Sequence, residues 1–328
     1  MEQPLLLNGL KFNWMAVNFI QLVVNPIAGS GKAKKEVPFI LKKFRELSNS
    51  EIRITETAGA NEAMFIARDA ILNGASMVVS VGGDGTVNEV INGFFIDKIP
   101  INPLCELGVI DCGTGGGYAS TIGLPESIEN QIELILHSSG VSIDLGCVDF
   151  IGSSNKPTSR FFVGECQTGI GSLVVEKIGS KLKAIAGKYA FFLVSTIAAL
   201  SLKPSKLRLK YDDDIEQAQS LLGLVVGNGI VCGGGMKLTP NAKLNDGLFD
   251  VLLINQMNII QRLLNLSKVY SGKHILSSHF SVKRCKKIGV ESDLPVSLEA
   301  DGELLGYSPF TVEIFPQVIK VKAGHIPS

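Results

Sequence analysis

The sequence predicts an N-terminal doubly wound α/β domain followed by a C-terminal β-sandwich domain. Three observations predict it. The chain has 328 residues, 45% of them hydrophobic, which suits two cores better than one. Up to about residue 139, short apolar runs alternate with helix-like stretches, as in a parallel sheet with crossover helices. Near residue 140 the pattern changes to many short β-like runs separated by Gly, Asn, Asp and Pro. The expected domains are residues 16–139 and 140–313, with the segment of about 314–325 free to return to the first.

Phe19–Val24 (FIQLVV) is the first strand, and a lysine-dotted helix runs from about Lys34 to Leu47. Glu51–Thr55 alternates like a strand. Asn61–Asn73 has helical spacing in Ala63, Phe65, Ile66, Ala70 and Ile71. Met77–Val81 and Leu107–Ile110 are continuous apolar runs, which suit strands buried on both faces. Val87–Phe95 between them reads as a helix. In the second half the expected strands are Val141–Val148, Arg160–Val163, Lys206–Tyr211, Leu221–Val226, Phe249–Ile254, Lys287–Glu291, Val296–Leu298 and Thr311–Ile314. Helices are expected at about Val175–Leu202 and Ile259–Ser271.

Composition narrows the function classes. Lys+Arg and Asp+Glu balance at 31 each, so the whole protein has no attraction to nucleic acid. The six Cys lack CxxC spacing and there are only four His, so neither a zinc site nor a disulfide framework is expected. Reduced thiols suit a cytoplasmic protein. The N-terminus lacks the basic region of a signal peptide. The most apolar segment, Tyr189–Leu202, is shorter than the roughly 20 residues of a membrane span. It reads as a buried helix, or as one touching a membrane surface where a lipid enters.

Three glycine-rich turns follow apolar strands: Asn25-Pro26-Ile27-Ala28-Gly29-Ser30-Gly31-Lys32, Gly82-Gly83-Asp84-Gly85-Thr86 and Gly113-Thr114-Gly115-Gly116-Gly117. Glycine lets backbone amides approach an anion, and such turns can form a phosphate-binding nest where a parallel sheet binds ligands. None is a Walker A loop: Pro26 replaces the first glycine of that pattern, and Ala33 its Ser/Thr. Taken singly, each is equally an ordinary strand-to-helix turn. The second is more specific, because Thr86 could cap the helix without help from Asp84. With ATP and Mg2+ nearby, the Asp84 carboxylate could hold the metal through water or orient an attacking hydroxyl. Glu89 could add charge behind it or simply be solvated.

The ordered motifs VVNPIAGSGKA, VVSVGGDGTVNEVINGF, LGVIDCGTGGGYASTIGLP, VVGNGIVCGGGMKLTPNAKLNDGLFDVLLI and LEADGELLGYSPFTVEIFP together resemble the diacylglycerol kinase-like lipid kinase family. That family includes bacterial diacylglycerol kinases and sphingosine kinases. The resemblance runs from about residue 18 to 322 and implies an ATP- and Mg2+-dependent kinase acting on a lipid alcohol. By it, Asn25, Gly29, Ser30 and Thr57 line the nucleotide site, Gly83, Asp84, Gly85 and Thr86 hold phosphates and Mg2+, and Thr114 completes the pocket. Asp301 and Glu303 reach the cleft, with Glu303 or Asp84 as general base. Asp246 and the Leu248 carbonyl mark a structural divalent ion.

Each assignment has a plainer competitor. Asp301-Gly302 and Asp246-Gly247 are also ordinary hairpin turns. Lys32, Lys34 and Lys35 suit a solvated helix start, and Asp212-Asp213-Asp214 an exposed loop. One departure matters: many relatives carry Asn-Asp where this chain has Gly116-Gly117, so an acidic group is missing at the rim. A catalytically weak nucleotide or lipid sensor and a soluble-substrate kinase of the NAD kinase type are the alternatives. A lipid kinase without a span must visit the bilayer transiently. The acceptor and the oligomeric state are not legible.

Overall fold

The computed structural model describes residues 6–7, 10–11, 18–152, 155–169, 172–173, 203–215 and 218–326. Phe19–Val24 (β1) is buried along its whole length, as a strand covered on both faces must be. Helix Ala28–Leu47 (α1) follows it, then strand Glu51–Glu56 (β2), helix Glu62–Leu72 (α2), strand Ala75–Gly82 (β3), helix Asp84–Gly93 (α3) and strand Glu106–Asp111 (β4). The short helix Gly117–Thr121 (α4) and Ile128–His137 (α5) complete this half. All pairings among these strands are parallel, with β1 between β2 and β3, and β4 beyond β3.

Side-chain periodicity decides which helix covers which face. Ala33, Ile40 and Phe44 of α1 and Ile132 and Ile135 of α5 pack with Ile20, Leu22, Val79 and Ile110 on one side of the sheet. Ala63, Ala67 and Ile71 of α2 and Val87, Val90 and Ile91 of α3 pack with Val23, Val78 and Val109 on the other. The chain leaves β1 toward β2 on one side and returns to β3 on the other. The strand order therefore reverses at β1 and β3, whose carboxyl ends carry the first two glycine turns.

The second half contributes Val141–Ile151 (β5), Pro157–Phe162 (β6), Glu165–Gly169 (β7), Ser205–Tyr211 (β8), Gln219–Gly227 (β9), Phe249–Asn255 (β10), helix Ile259–Val269 (α6), Phe280–Cys285 (β11), Lys287–Ser292 (β12), Ser297–Ala300 (β13) and Glu303–Val321 (β14). Antiparallel pairing passes from β8 to β9, β7, β13, β14 and β12 and back to β8, closing a circuit. Phe162, Phe249, Leu298 and Phe310 fill its interior. The expected helix at about Val175–Leu202 lies outside the described residues.

Several elements depart from expectation. The Lys34 helix starts earlier, at Ala28, through a left-handed turn at Gly29, Ser30 and Gly31. β7 and β11 were not expected. ECQTG is polar yet buried in mid-sheet, and FSVKRC is mostly exposed, so neither shows the apolar pattern of a strand. The Thr311–Ile314 run is the middle of a 19-residue strand. Its register shifts between Tyr307 and Phe310 and between Phe315 and Ile319 absorb Pro309 and Pro316. The far end of β14 pairs in parallel with β4, Lys320 opposite Glu106, and so adds a fifth strand to the first sheet.

The two halves are clasped beside the glycine turns. On α3, Asn92 Nδ2 donates to Phe161 O at 3.0 Å and its Oδ1 accepts from Phe161 N at 2.9 Å. Asn88 Nδ2 donates to the same carbonyl at 3.1 Å and to Asp301 Oδ2 at 2.8 Å. The helix that begins at Asp84 is thereby fixed to the sandwich.

Candidate active site

The first turn is held by its own polar atoms. Asn25 N donates to Val81 O at 2.9 Å, Asn25 Oδ1 accepts from Ile27 N at 3.3 Å, and Asn25 Nδ2 donates to Thr86 Oγ1 at 3.1 Å. At Gly29, φ is +57° and a Cβ would lie 2.1 Å from Cys112 O, so only glycine fits. The second and third turns meet glycine to glycine: a Cβ on Gly113 would stand 2.6 Å from Gly83 Cα. These contacts bring the ends of β1, β3 and β4 to one rim.

Asp84 faces the third turn. Its Oδ1 accepts from Tyr118 N at 2.9 Å and its Oδ2 from Gly117 N at 3.2 Å. At the position where an acidic residue was missed, the chain presents a backbone amide to Asp84 instead. Asp111, which sequence reading passed over, stands close by at the end of β4. Its Oδ1 accepts from Gly113 N at 3.0 Å. Burial raises its pKa above the ordinary carboxylate value, the Asp84 charge adds to the rise, and the Gly113 amide opposes it. A charged residue ending an otherwise buried parallel strand was the signal that could have found it.

From the sandwich side, Glu303 at the start of β14 reaches the same rim. Arg160 Nη2 donates to its Oε2 at 3.2 Å, and its Oε1 would lie 3.5 Å from a Cβ on Gly85. Arg160 is largely buried and was also missed, because only the folded pairing of β6 with β5 carries it to Glu303. One cavity of about 670 Å³ spans the rim and the sandwich. Asn25, Gly29, Ser30, Thr57, Gly83, Asp84, Gly85, Thr86, Thr114, Asp301 and Glu303 line its polar end. Val225, Ile254, Met257, Leu266 and Phe280 line its apolar end.

Comparison with known proteins agrees in both halves. Residues 20–148 match the diacylglycerol kinase catalytic domain, and residues 164–323 match the YegS C-terminal NAD kinase beta sandwich-like domain. The chain thus carries a diacylglycerol kinase catalytic domain in its first half and a YegS-type sandwich-like domain in its second. It is a kinase, a phosphotransferase. This kinase is 29% identical over 290 residues to a diacylglycerol kinase of Bacillus subtilis (strain 168), covering 88% of this chain and 91% of the relative. It is 28% identical over 289 residues to one of Staphylococcus aureus (strain MRSA252), covering 88% and 87%. A crystal structure of a diacylglycerol kinase from Bacillus anthracis str. Sterne has the same fold, with TM-score 0.69 at 18% identity, covering 93% and 97% of the two chains. A further structure from that organism reaches 0.75 at 21% identity, covering 93% and 95%.

Four residues of the kinase have partners that the sequence did not announce. Glu89 is half-buried and lines the cavity with Asp84, and its carboxylate is also engaged: it accepts from Asn61 N at 2.8 Å and Ala63 N at 3.1 Å, capping α2. Asp301 lines the cavity but is occupied as an acceptor. Its Oδ2 takes Asn88 Nδ2 and Val163 N (2.9 Å), and its Oδ1 takes Gly164 N at 2.8 Å and Glu165 N at 3.3 Å. Burial raises its pKa and these donors restrain the rise. Both carboxylate oxygens of Asp301 are thus committed to donors that join α3 to the sandwich. Asp246 and Leu248 lie away from the cavity, and the Asp246 carboxylate accepts from Leu248 N and pairs with Arg284, which also holds Asp250 at 3.0 Å. A guanidinium occupies the place a divalent ion would need, so these residues as arranged do not fit a metal.

Behind the apolar wall, His274 is buried, its Nε2 3.0 Å from Leu238 O and its ring edge-on to Phe280 at 5.0 Å. Burial lowers its pKa below the ordinary 6.5. A histidine held neutral by the fold adds stability that is present above its unfolded pKa and lost as pH falls below it. The wild-type melting temperature should therefore drop as pH is taken from about 7 to about 5, and His274→Gln should flatten part of that drop. Parallel curves for the two proteins would remove His274 as a source of acid sensitivity.

Proposed function

We propose that this kinase transfers the γ-phosphate of ATP to the hydroxyl of a lipid alcohol, with diacylglycerol and sphingoid bases as the leading acceptor classes. The observation that carries this reading is one continuous cavity, which joins three glycine turns at one end to an apolar chamber at the other. Backbone amides of the turns suit a polyphosphate. The chamber suits an acyl or alkyl chain and would bring its hydroxyl end to Glu303 and Asp84.

Asp84 beside the turns fits a magnesium ion that would draw the rest of its coordination from phosphate oxygens and water. When bound, that ion would neutralise charge on the β- and γ-phosphates. Asp84, steadied by the Gly117 and Tyr118 amides, keeps its carboxylate fixed toward that place. Glu303 is oriented by Arg160 and is the better placed group to take the acceptor's proton, since its Oε1 faces Gly85 on the phosphate turn. Asp301 aligns Glu303, two residues on, with α3 through Asn88.

The test is incubation of the purified protein with labelled ATP and magnesium against diacylglycerol, phosphatidylglycerol, sphingoid bases and polyprenols. Label should pass to an organic-soluble phosphate monoester. ATP binding by calorimetry with no labelled lipid across the panel would replace the enzyme with a sensor. Label on NAD would point to a soluble acceptor.

A further inference from the structure

We propose that the outer face of α6, together with Leu276, docks this kinase onto an anionic bilayer and sets the apolar chamber against the lipid; the proposal rests on the lipid-acceptor reading above. Ile259, Ile260, Leu263 and Leu264 are 53%, 70%, 41% and 61% exposed, and Leu276 is 81% exposed. Spacings of one, four and five residues place the four helical side chains in one stripe. A capping box fixes the start of the helix: Asn258 Oδ1 accepts from Gln261 N and Gln261 Oε1 from Asn258 N, both at 2.9 Å. The stripe is thus built into the fold.

The same helix turns its opposite face inward. Asn265 and Val269, its buried residues, line the cavity. A bilayer against the outer stripe would lie about one helix diameter, roughly 10 Å, from the chamber. An amphipathic helix in the interface sinks its apolar face about 5–10 Å, so a lipid could pass around α6 without crossing bulk water.

Charge favours an anionic membrane as the occupant. The chain as a whole is balanced at 31 positive and 31 negative residues, yet no Asp or Glu occurs between Val251 and Val290. Lys268 and Lys273 are exposed at the C-terminal end of the stripe. Aliphatic residues flanked by lysines on a helix without acids match the headgroup boundary of anionic lipid. Among the described residues no helix is long and apolar enough to cross a membrane, so contact by these residues would be peripheral.

The experiment is co-sedimentation of the full chain, without nucleotide, with phosphatidylcholine vesicles containing phosphatidylglycerol. Ile260→Glu with Leu264→Glu should lower vesicle partitioning about a hundredfold, roughly tenfold for each buried aliphatic side chain lost. Lys268→Glu with Lys273→Glu should abolish its dependence on anionic lipid and on salt. Circular dichroism and melting would show both variants folded. Turnover of a short-chain diacylglycerol presented as monomer should be unchanged in the first variant, while turnover of long-chain diacylglycerol in vesicles falls with the partitioning. Wild-type-like sedimentation of the Ile260/Leu264 variant would overturn the proposal. So would a wild-type dimer that this variant splits with no change in vesicle binding, which would make the stripe a self-association face. Should the wild type phosphorylate no lipid, the sedimentation difference would still stand, and only the acceptor reading would fall.

Discussion

Asp84→Asn is expected to lower turnover about 10³-fold or more while leaving a folded protein. The carboxylate is the acidic group set directly in the second glycine turn, and its charge is what a cation beside polyphosphate requires. Its structural part is smaller. Asparagine keeps one acceptor for the Tyr118 or Gly117 amide and loses the other, a change of about 1–2 kcal/mol that lowers the melting temperature by only a few degrees. The two effects separate cleanly: single-turnover phosphorylation measures the first and calorimetry the second. Turnover within tenfold of wild type would take Asp84 out of the chemistry.

Asp301→Ala is expected to be the most destabilising single change at the site, about 3–5 kcal/mol by urea denaturation. It leaves the Asn88 amide and the backbone amides of Val163, Gly164 and Glu165 without their acceptor in a largely buried place. Asp301→Asn retains part of the set and should lose less. Because Asn88 belongs to α3 and Asp301 to the sandwich, the alanine variant should also loosen the register between Asp84 and Glu303. KM for the lipid should then rise along with the loss of stability. A loss below about 1 kcal/mol would show that the clasp contributes little and that Asp301 is there for another reason.

What was legible in the sequence follows from how local the cause is. Met77–Val81 read as a doubly covered strand because every side chain in it is apolar or small, and Gly82-Gly83-Asp84 read as its turn because paired glycines before an aspartate mark the passage from strand to helix. The clasp was not legible. Asn88 and Asn92 look like ordinary helix residues until Phe161, 73 and 69 positions away, comes to meet them. Arg160 and Glu303 are 143 positions apart, and nothing near either announces the other. Asp246 illustrates the reverse error: its turn looked like a cation site, but the neutralising charge comes from Arg284 on the next strand of the sandwich. Pro309 and Pro316 hid the length of β14, because a rule against proline inside strands holds only where no bulge is present.

β14 begins at Glu303, beside the glycine turns, and ends hydrogen-bonded to the edge of the first sheet. Ribosomal synthesis reaches it after every strand it joins. Until then Glu106–Asp111 has an open flank, and Lys322, whose ammonium pairs with Glu106 at 2.8 Å, does not yet exist. A fragment cut near residue 139 would keep every glycine turn yet expose that flank to any neighbouring chain, so it should precipitate rather than serve as a minimal nucleotide-binding unit. Completion of the first sheet therefore waits on a strand synthesised after the rest of the sandwich.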